Sequence, residues 1–266
     1  MNERIGQGRT ADVYRYGDNK VLKVFHQNLS FLADEEFARA KQIQDAGVCA
    51  PTVYDLIDVN NAKGIVYEYV PGITLLEQMQ NSPLQISRYA KQLATMHAAL
   101  HRTPAANLVS LKESLSYAIN HAPLLTQQEK TAILRYLVSL PNGDRLCHYD
   151  FHPGNVLVSE GGAKVIDWMT AAAGDPCADV CRTCLILRSN VQPYNTSFAQ
   201  KTILNVFRTV FSKSYLQQYL KQTSTTAAQV DRWLLPVAAA RLHEGIESEQ
   251  PYLIGIVTRL LSSLIS

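Results

Sequence analysis

The chain has 266 residues, 47% of them hydrophobic, enough to fill one large core or two modest ones. Its 25 basic and 23 acidic side chains leave a net charge of +2 with no run of Lys or Arg, so nucleic acid and membrane surfaces are excluded as electrostatic partners. The cysteines number five, an odd count, and the chain reaches a glycine-rich turn by Gly6, so no signal peptide is expected and the expected compartment is the reducing cytoplasm.

In chain order, Gly6, Gln7, Gly8, Arg9, Thr10, Ala11, Asp12 and Val13 approximate G-x-G-x-x-G-x-V. Such a turn lets backbone N–H groups approach phosphate because glycine has no Cβ in the way, although Ala11 stands where the third glycine would. A turn at Gly17, Asp18 and Asn19 leads into the β-rich run Val21 to Phe25, which places the cation of Lys23 on a mostly apolar strand, a position that suits a phosphate contact. Asp34, Glu35 and Glu36 open a helix in which Phe37, Ala40 and Ile43 recur at helical spacing and which Gly47 can end. One of these carboxylates is expected to pair with Lys23, and the others suit the first turn of a helix.

The run Gly64 to Gly72 reads as a strand passing into a hinge at about residues 67–72. Before it the chain is strand-rich, and after it the pattern turns helical. Ser82 and Pro83 signal a helix start, with Ile86, Leu93, Met96 and Leu100 as its apolar stripe. His97 and His101 on the same helix have ligand spacing but no carboxylate beside them in sequence, and read as helix surface or packing. Thr126 and Glu129 form a capping box for a helix carrying Ile133 and Leu137.

The most informative stretch follows: His148, Tyr149, Asp150, Phe151, His152, Pro153, Gly154 and Asn155, then a hairpin turning at Gly161 and Gly162 and ending at Asp167. This H-x-D-x-x-x-x-N loop before an apolar-Asp holds the groups phosphoryl transfer needs. Asp150 is the candidate base that accepts the hydrogen bond of an acceptor hydroxyl. Asn155 and Asp167 are oxygen ligands for Mg²⁺. His148 is expected to pack beneath the turn, which Pro153 and Gly154 supply.

The wording H-Y-D-F-H-P-G-N-V-L resembles the catalytic loop of the aminoglycoside phosphotransferase and choline kinase family, small-molecule kinases with a protein-kinase-like fold. The resemblance implies an α+β bilobal fold: an N-lobe over residues 1–70 with an antiparallel sheet and one helix, and a mainly helical C-lobe over residues 71–266 with the acceptor site. It implies ATP and Mg²⁺ as cofactors. Gly6, Gly8 and Lys23 would face the phosphates, and Glu36 is the carboxylate chosen to hold Lys23. The carbonyl of Glu68 and the N–H of Val70 would meet the adenine edge, with Tyr67 behind them, while Val13, Leu157 and Ile166 would sandwich the ring. Asp175 and Asp179 match G-D-P-x-x-D, and Asp179 would brace the catalytic loop through backbone N–H groups.

In the remaining chain, Cys177, Cys181 and Cys184 share one helical face without an adjacent fourth ligand and read as small core residues. Tyr252 to Ile265 is apolar but short for a membrane span and contains Arg259, so it reads as a core helix. Glu244, Glu247 and Glu249 lie close together and either form a solvated face or receive a cationic acceptor such as an amino alcohol or aminosugar. Two other function classes remain. A protein kinase lacks support because Trp168 and Met169 follow Asp167 and no A-P-E segment is present, and a non-catalytic nucleotide-binding scaffold has no physical need for Asp150.

Overall fold

The computed structural model describes residues 3–105, 107–189 and 198–265; Met1 lies outside them. The chain forms two compact units, one built from residues 1–81 and 153–171 and the other from residues 82–152 and 172–266. The boundary expected near residue 70 follows chain order, whereas this grouping adds residues 71–81 and the hairpin after the catalytic loop to the first unit.

The first unit opens with strands β1 (Arg4–Gln7), β2 (Ala11–Arg15) and β3 (Lys20–Phe25), then helix α1 (Leu32–Asp45), then β4 (Val53–Val59) and β5 (Ala62–Glu68). These strands make one antiparallel sheet in the order β1-β2-β3-β5-β4. Helix α1 starts two residues before the expected acidic turn, and Gly47, with φ 68°, follows its end in the left-handed conformation that glycine tolerates. Its buried residues Ala33, Glu36, Ala40 and Ile43 recur at helical spacing. Ala33 and Ala40 pack with Phe25, Val53 and Ile65 of the sheet. Short strand β6 (Ile73–Thr74) and helix α2 (Leu75–Asn81) complete the first pass.

The chain then enters the second unit as α3 (Ile86–Leu100), α4 (Leu111–Asn120), α5 (Gln127–Ser139) and β7 (Arg145–Cys147). The capping box of Thr126 and Glu129 is present at the start of α5, with Ile133 and Leu137 buried. In α3 the buried face is centred on Leu93, Ala94 and His97, while Ile86 and Met96 are only half-buried. The expected stripe is therefore rotated: reading histidine as polar hid the residue at its centre.

Strands β8 (Val156–Ser159) and β9 (Gly162–Val165) return to the first unit as a hairpin, and β8 pairs with β6. The second unit resumes with β10 (Ala172–Gly174), paired to β7, and the helices α6 (Pro176–Arg188), α7 (Phe198–Gln222), α8 (Ala227–Asp231), α9 (Leu234–Arg241) and α10 (Gln250–Ile265). Leu253, Ile256, Val257 and Leu261 bury one face of α10. Among the described residues no helix is long and apolar enough to cross a membrane.

Candidate active site

The residues expected to hold nucleotide and metal all fall in the first unit. Strand alternation puts Lys23 on the face shared with Phe25, the face that α1 covers. There Lys23 Nζ donates to Glu36 Oε1 and Oε2 at 2.8 and 2.9 Å, and to Asp167 Oδ1 at 3.1 Å. Tyr67 donates its hydroxyl to Glu36 Oε1 at 3.1 Å, so the residue expected behind the adenine supports the ion pair. Burial works against the Lys23 charge, but Glu36 and Asp167 outweigh it and raise the ammonium pKa.

Asp167 sits in the left-handed conformation at φ 63°, uncommon for a residue with a Cβ and a sign of local constraint. Its side chain remains 45% exposed. Asn155 ends the turn Pro153–Asn155, is buried, and accepts from Ile166 N–H at 3.0 Å, which ties it to the residue before Asp167. A carboxylate and an amide are hard oxygen donors, the set that suits Mg²⁺.

The glycine turn is tight. Gly8 N–H donates to Ala11 O at 2.9 Å, and a Cβ on Gly8 would lie 3.1 Å from that oxygen. Gly6 pairs with Val13 across β1 and β2. Val13, Leu157 and Ile166 are half-buried, whereas Val156 and Val165 beside them in the hairpin are fully buried. The two sets therefore differ in burial. Val70 is buried. The Glu68 carboxylate accepts from Lys164 Nζ at 2.6 and 2.7 Å and from Thr52 N–H at 2.9 Å.

Asp150 belongs to the second unit. Tyr149 before it has φ 60°, and its peptide is held from one side by Asp179: Oδ2 accepts from His148 N–H at 2.6 Å and Oδ1 from Tyr149 N–H at 3.0 Å. Asp150 N–H donates to His148 Nδ1 at 3.2 Å, and His148, fully buried, meets Phe151 edge-on. Burial would raise the Asp150 carboxyl, but His152, with Nε2 3.6 Å from Oδ2, and the Arg182 charge hold it well below the usual carboxylate range. Asp175 caps α6 by accepting from Cys177 N–H at 2.8 Å.

Behind Asp179 lies a polar network that sequence spacing showed only in part. His101 Nε2 is 3.3 Å from Asp179 Oδ2, and His97 Nε2 is 3.1 Å from it, close but poorly directed. His97 Nδ1 meets Tyr215 Oη at 2.6 Å and His101 Nδ1 meets Tyr219 Oη at 2.7 Å. The two histidines thus have a carboxylate neighbour after all, supplied by α6. His97, His101 and Asp179 are close enough to hold a metal ion, and in this structure both Asp179 oxygens accept backbone N–H groups of the catalytic loop. The cluster braces the catalytic loop. Burial first, and then the neighbouring His101, lower the His97 pKa to about 4.

The late glutamates do not act as a group. Glu249 is buried and accepts from Arg241 at 2.5 and 2.9 Å, Glu244 pairs with Arg182 at 2.6 Å and Arg241 at 3.2 Å, and only Glu247 is exposed. Cys177, Cys181 and Cys184 are buried free thiols, with burial pushing Cys177 up to about 12 and Cys184 up to about 11.

A model described as the phosphotransferase enzyme family matches residues 2–203. A curated protein of Mus musculus, acyl-CoA dehydrogenase family member 10, is 29% identical over 176 residues, 57% of this chain; the chain spans only 16% of that protein's length. Among solved structures, a thermostable mutant of an aminoglycoside phosphotransferase in ternary complex with ADP and hygromycin B aligns over 98% of this chain and 93% of its own, with TM-score 0.67 and 13% identity. A choline/ethanolamine kinase family protein from Mesorhizobium loti aligns over 98% and 86%, with TM-score 0.55 and 16% identity. An amicoumacin kinase in complex with AMP-PNP, Ca²⁺ and Ami aligns over 97% and 87%, with TM-score 0.60 and 17% identity. These likenesses show the fold, which is the expected α+β protein-kinase-like one.

Proposed function

The chain belongs to the phosphotransferase enzyme family, and on that premise we propose that it moves the γ-phosphoryl group of ATP to a hydroxyl of a small molecule. The observation that carries the reading is the contact of Lys23 with both Glu36 and Asp167, which joins three separately expected residues of the nucleotide and metal set. When bound, the magnesium nucleotide supplies the phosphoryl group and the metal charge that offsets its negative oxygens.

Lys23 holds a cation for the α- and β-phosphates, kept in place by Glu36. Gly6 and Gly8 give phosphate access to backbone N–H groups. Asn155 and Asp167 would hold Mg²⁺. The Glu68 carbonyl and Val70 N–H read the adenine edge between Val13, Leu157 and Ile166. Asp150 orients the acceptor hydroxyl and takes its proton as the new oxygen–phosphorus bond forms and the bond to ADP breaks. A low pKa makes Asp150 a weak base, which suits a loose transition state in which orientation matters more than early proton removal. The buried free thiols fit a reducing cytoplasm.

Hygromycin B in the ternary complex of one compared structure and the choline/ethanolamine kinase family name of another make aminoglycosides and amino alcohols the first classes to try, with sugars beside them. A cationic acceptor draws no support from Glu244 and Glu249, whose charges are met by Arg182 and Arg241. The test is ADP release with Mg-ATP across aminoglycosides, choline, ethanolamine, methylthioribose, homoserine and simple sugars, run beside Asp150→Asn. Acceptor-dependent turnover that the variant abolishes supports the reading. ATP binding without turnover on any of them shifts the weight to a nucleotide-binding protein.

A further inference from the structure

Arg182 is the unexplained neighbour of the candidate base. It lies on α6 among small residues, is 3% exposed, and stacks its guanidinium over the Tyr149 ring at 4.5 Å. Its Nη2 is 2.6 Å from Glu244 Oε1 but 3.8 Å from Asp150 Oδ1. The first distance is a charge-assisted hydrogen bond and the second lies beyond hydrogen-bond reach. Glu244 is itself fixed: its other oxygen meets Arg241 at 3.2 Å, and Arg241 is clamped by both oxygens of buried Glu249.

We propose that Glu244 is a positioning residue for the phosphoryl transfer, holding the Arg182 guanidinium near Asp150 but off it. The proposal rests on the reading of Asp150 as the residue that meets the acceptor hydroxyl. An arginine beside a carboxylate forms a bidentate pair when nothing else competes for it, and such a pair would occupy the oxygens the acceptor must reach. Arg182 has donors to spare for this, since its buried Nε makes no hydrogen bond. Glu244 competes successfully because Arg241 and Glu249 set its position in advance. Held at 3.8 Å, the guanidinium still favours the ionised form of Asp150 through its field without taking its place at the acceptor.

The test is a double-mutant cycle between Glu244→Gln and Asp150→Asn, read as kcat, KM for Mg-ATP and thermal midpoint. Glu244→Gln keeps the shape but surrenders the charge that meets buried Arg182 and Arg241, so the thermal midpoint is read beside the kinetics. The expected result is a kcat loss of about tenfold with KM for Mg-ATP unchanged, and a further loss of less than about twofold when Asp150 is already Asn. An equal loss in both backgrounds, a matching rise in KM for Mg-ATP, or full activity of Glu244→Gln would overturn the proposal. If Glu244→Gln does not fold, Glu244→Ser, which also removes the competing carboxylate while leaving the Arg182 fork in place, enters the same cycle with the same expectation and the same overturning results. Full turnover by Asp150→Asn alone would refute the base reading, and this proposal with it, whereas a dead Asp150→Asn with an additive cycle refutes only the role of Glu244.

Discussion

Lys23 Nζ lies 3.1 Å from Asp167 Oδ1, although 144 positions separate the two residues in sequence. Lys23 is thus shared between a buried carboxylate that anchors it and an exposed one assigned to the metal. Glu36 takes the shorter contacts, at 2.8 and 2.9 Å, and so limits how firmly Lys23 ties down Asp167. Glu36→Gln should leave Lys23 with Asp167 as its remaining anionic partner. The Mg²⁺ concentration for half-maximal turnover is then expected to rise by roughly three- to tenfold, because the metal must compete with a full ion pair. Magnesium titration of ADP release checks this, and an unchanged midpoint speaks against the sharing.

His97 gives a pH dependence with a definite sign. Its pKa falls from 6.5 to about 4 on folding, so the folded chain keeps it neutral while the unfolded chain protonates it below pH 6.5. The stability contribution is complete above pH 6.5 and is lost as pH falls toward 4, by about 3 kcal/mol in all. Denaturant unfolding at pH 7 and pH 4.5 should show this decline, and His97→Gln should show a shallower one. Equal slopes would remove His97 as the cause.

Gly72 stands where the chain passes β8. A Cβ there would lie 2.2 Å from the Val158 carbonyl oxygen, a backbone atom that no rotamer change can move, next to the Ile73↔Val158 pairing. Gly72→Ala should cost about 2 kcal/mol or more, read as a lower thermal midpoint. A midpoint within a degree or so of wild type would mean that β6 shifts freely.

Residues whose place is written in local spacing are legible in the sequence: the capping box at Thr126 and Glu129, the glycine after α1, and the turn that Pro153 and Gly154 supply. Residues whose role depends on a distant partner are not. His97 looks polar on a helical wheel and becomes part of a buried face only because Asp179, Tyr215 and Phe151 close around it. Arg182 carries no sign in sequence that it will be buried. Glu244 and Glu249 read as one acidic patch with Glu247, yet both are met by arginines on α6 and α9, Glu244 by Arg182 and Arg241 and Glu249 by Arg241. The hairpin of β8 and β9 follows the catalytic loop in sequence but packs with the first 81 residues, a grouping set by its pairing with β6 and by Val165 N–H donating to Cys49 O at 2.8 Å.

The most direct test of the central claim is to measure Mg-ATP affinity and acceptor-dependent turnover side by side in wild type and Asp150→Asn. The nucleotide set lies in a compact unit that does not contain Asp150, so affinity should stay within about twofold while turnover falls by at least ~100-fold. Undiminished turnover in Asp150→Asn would contradict the account.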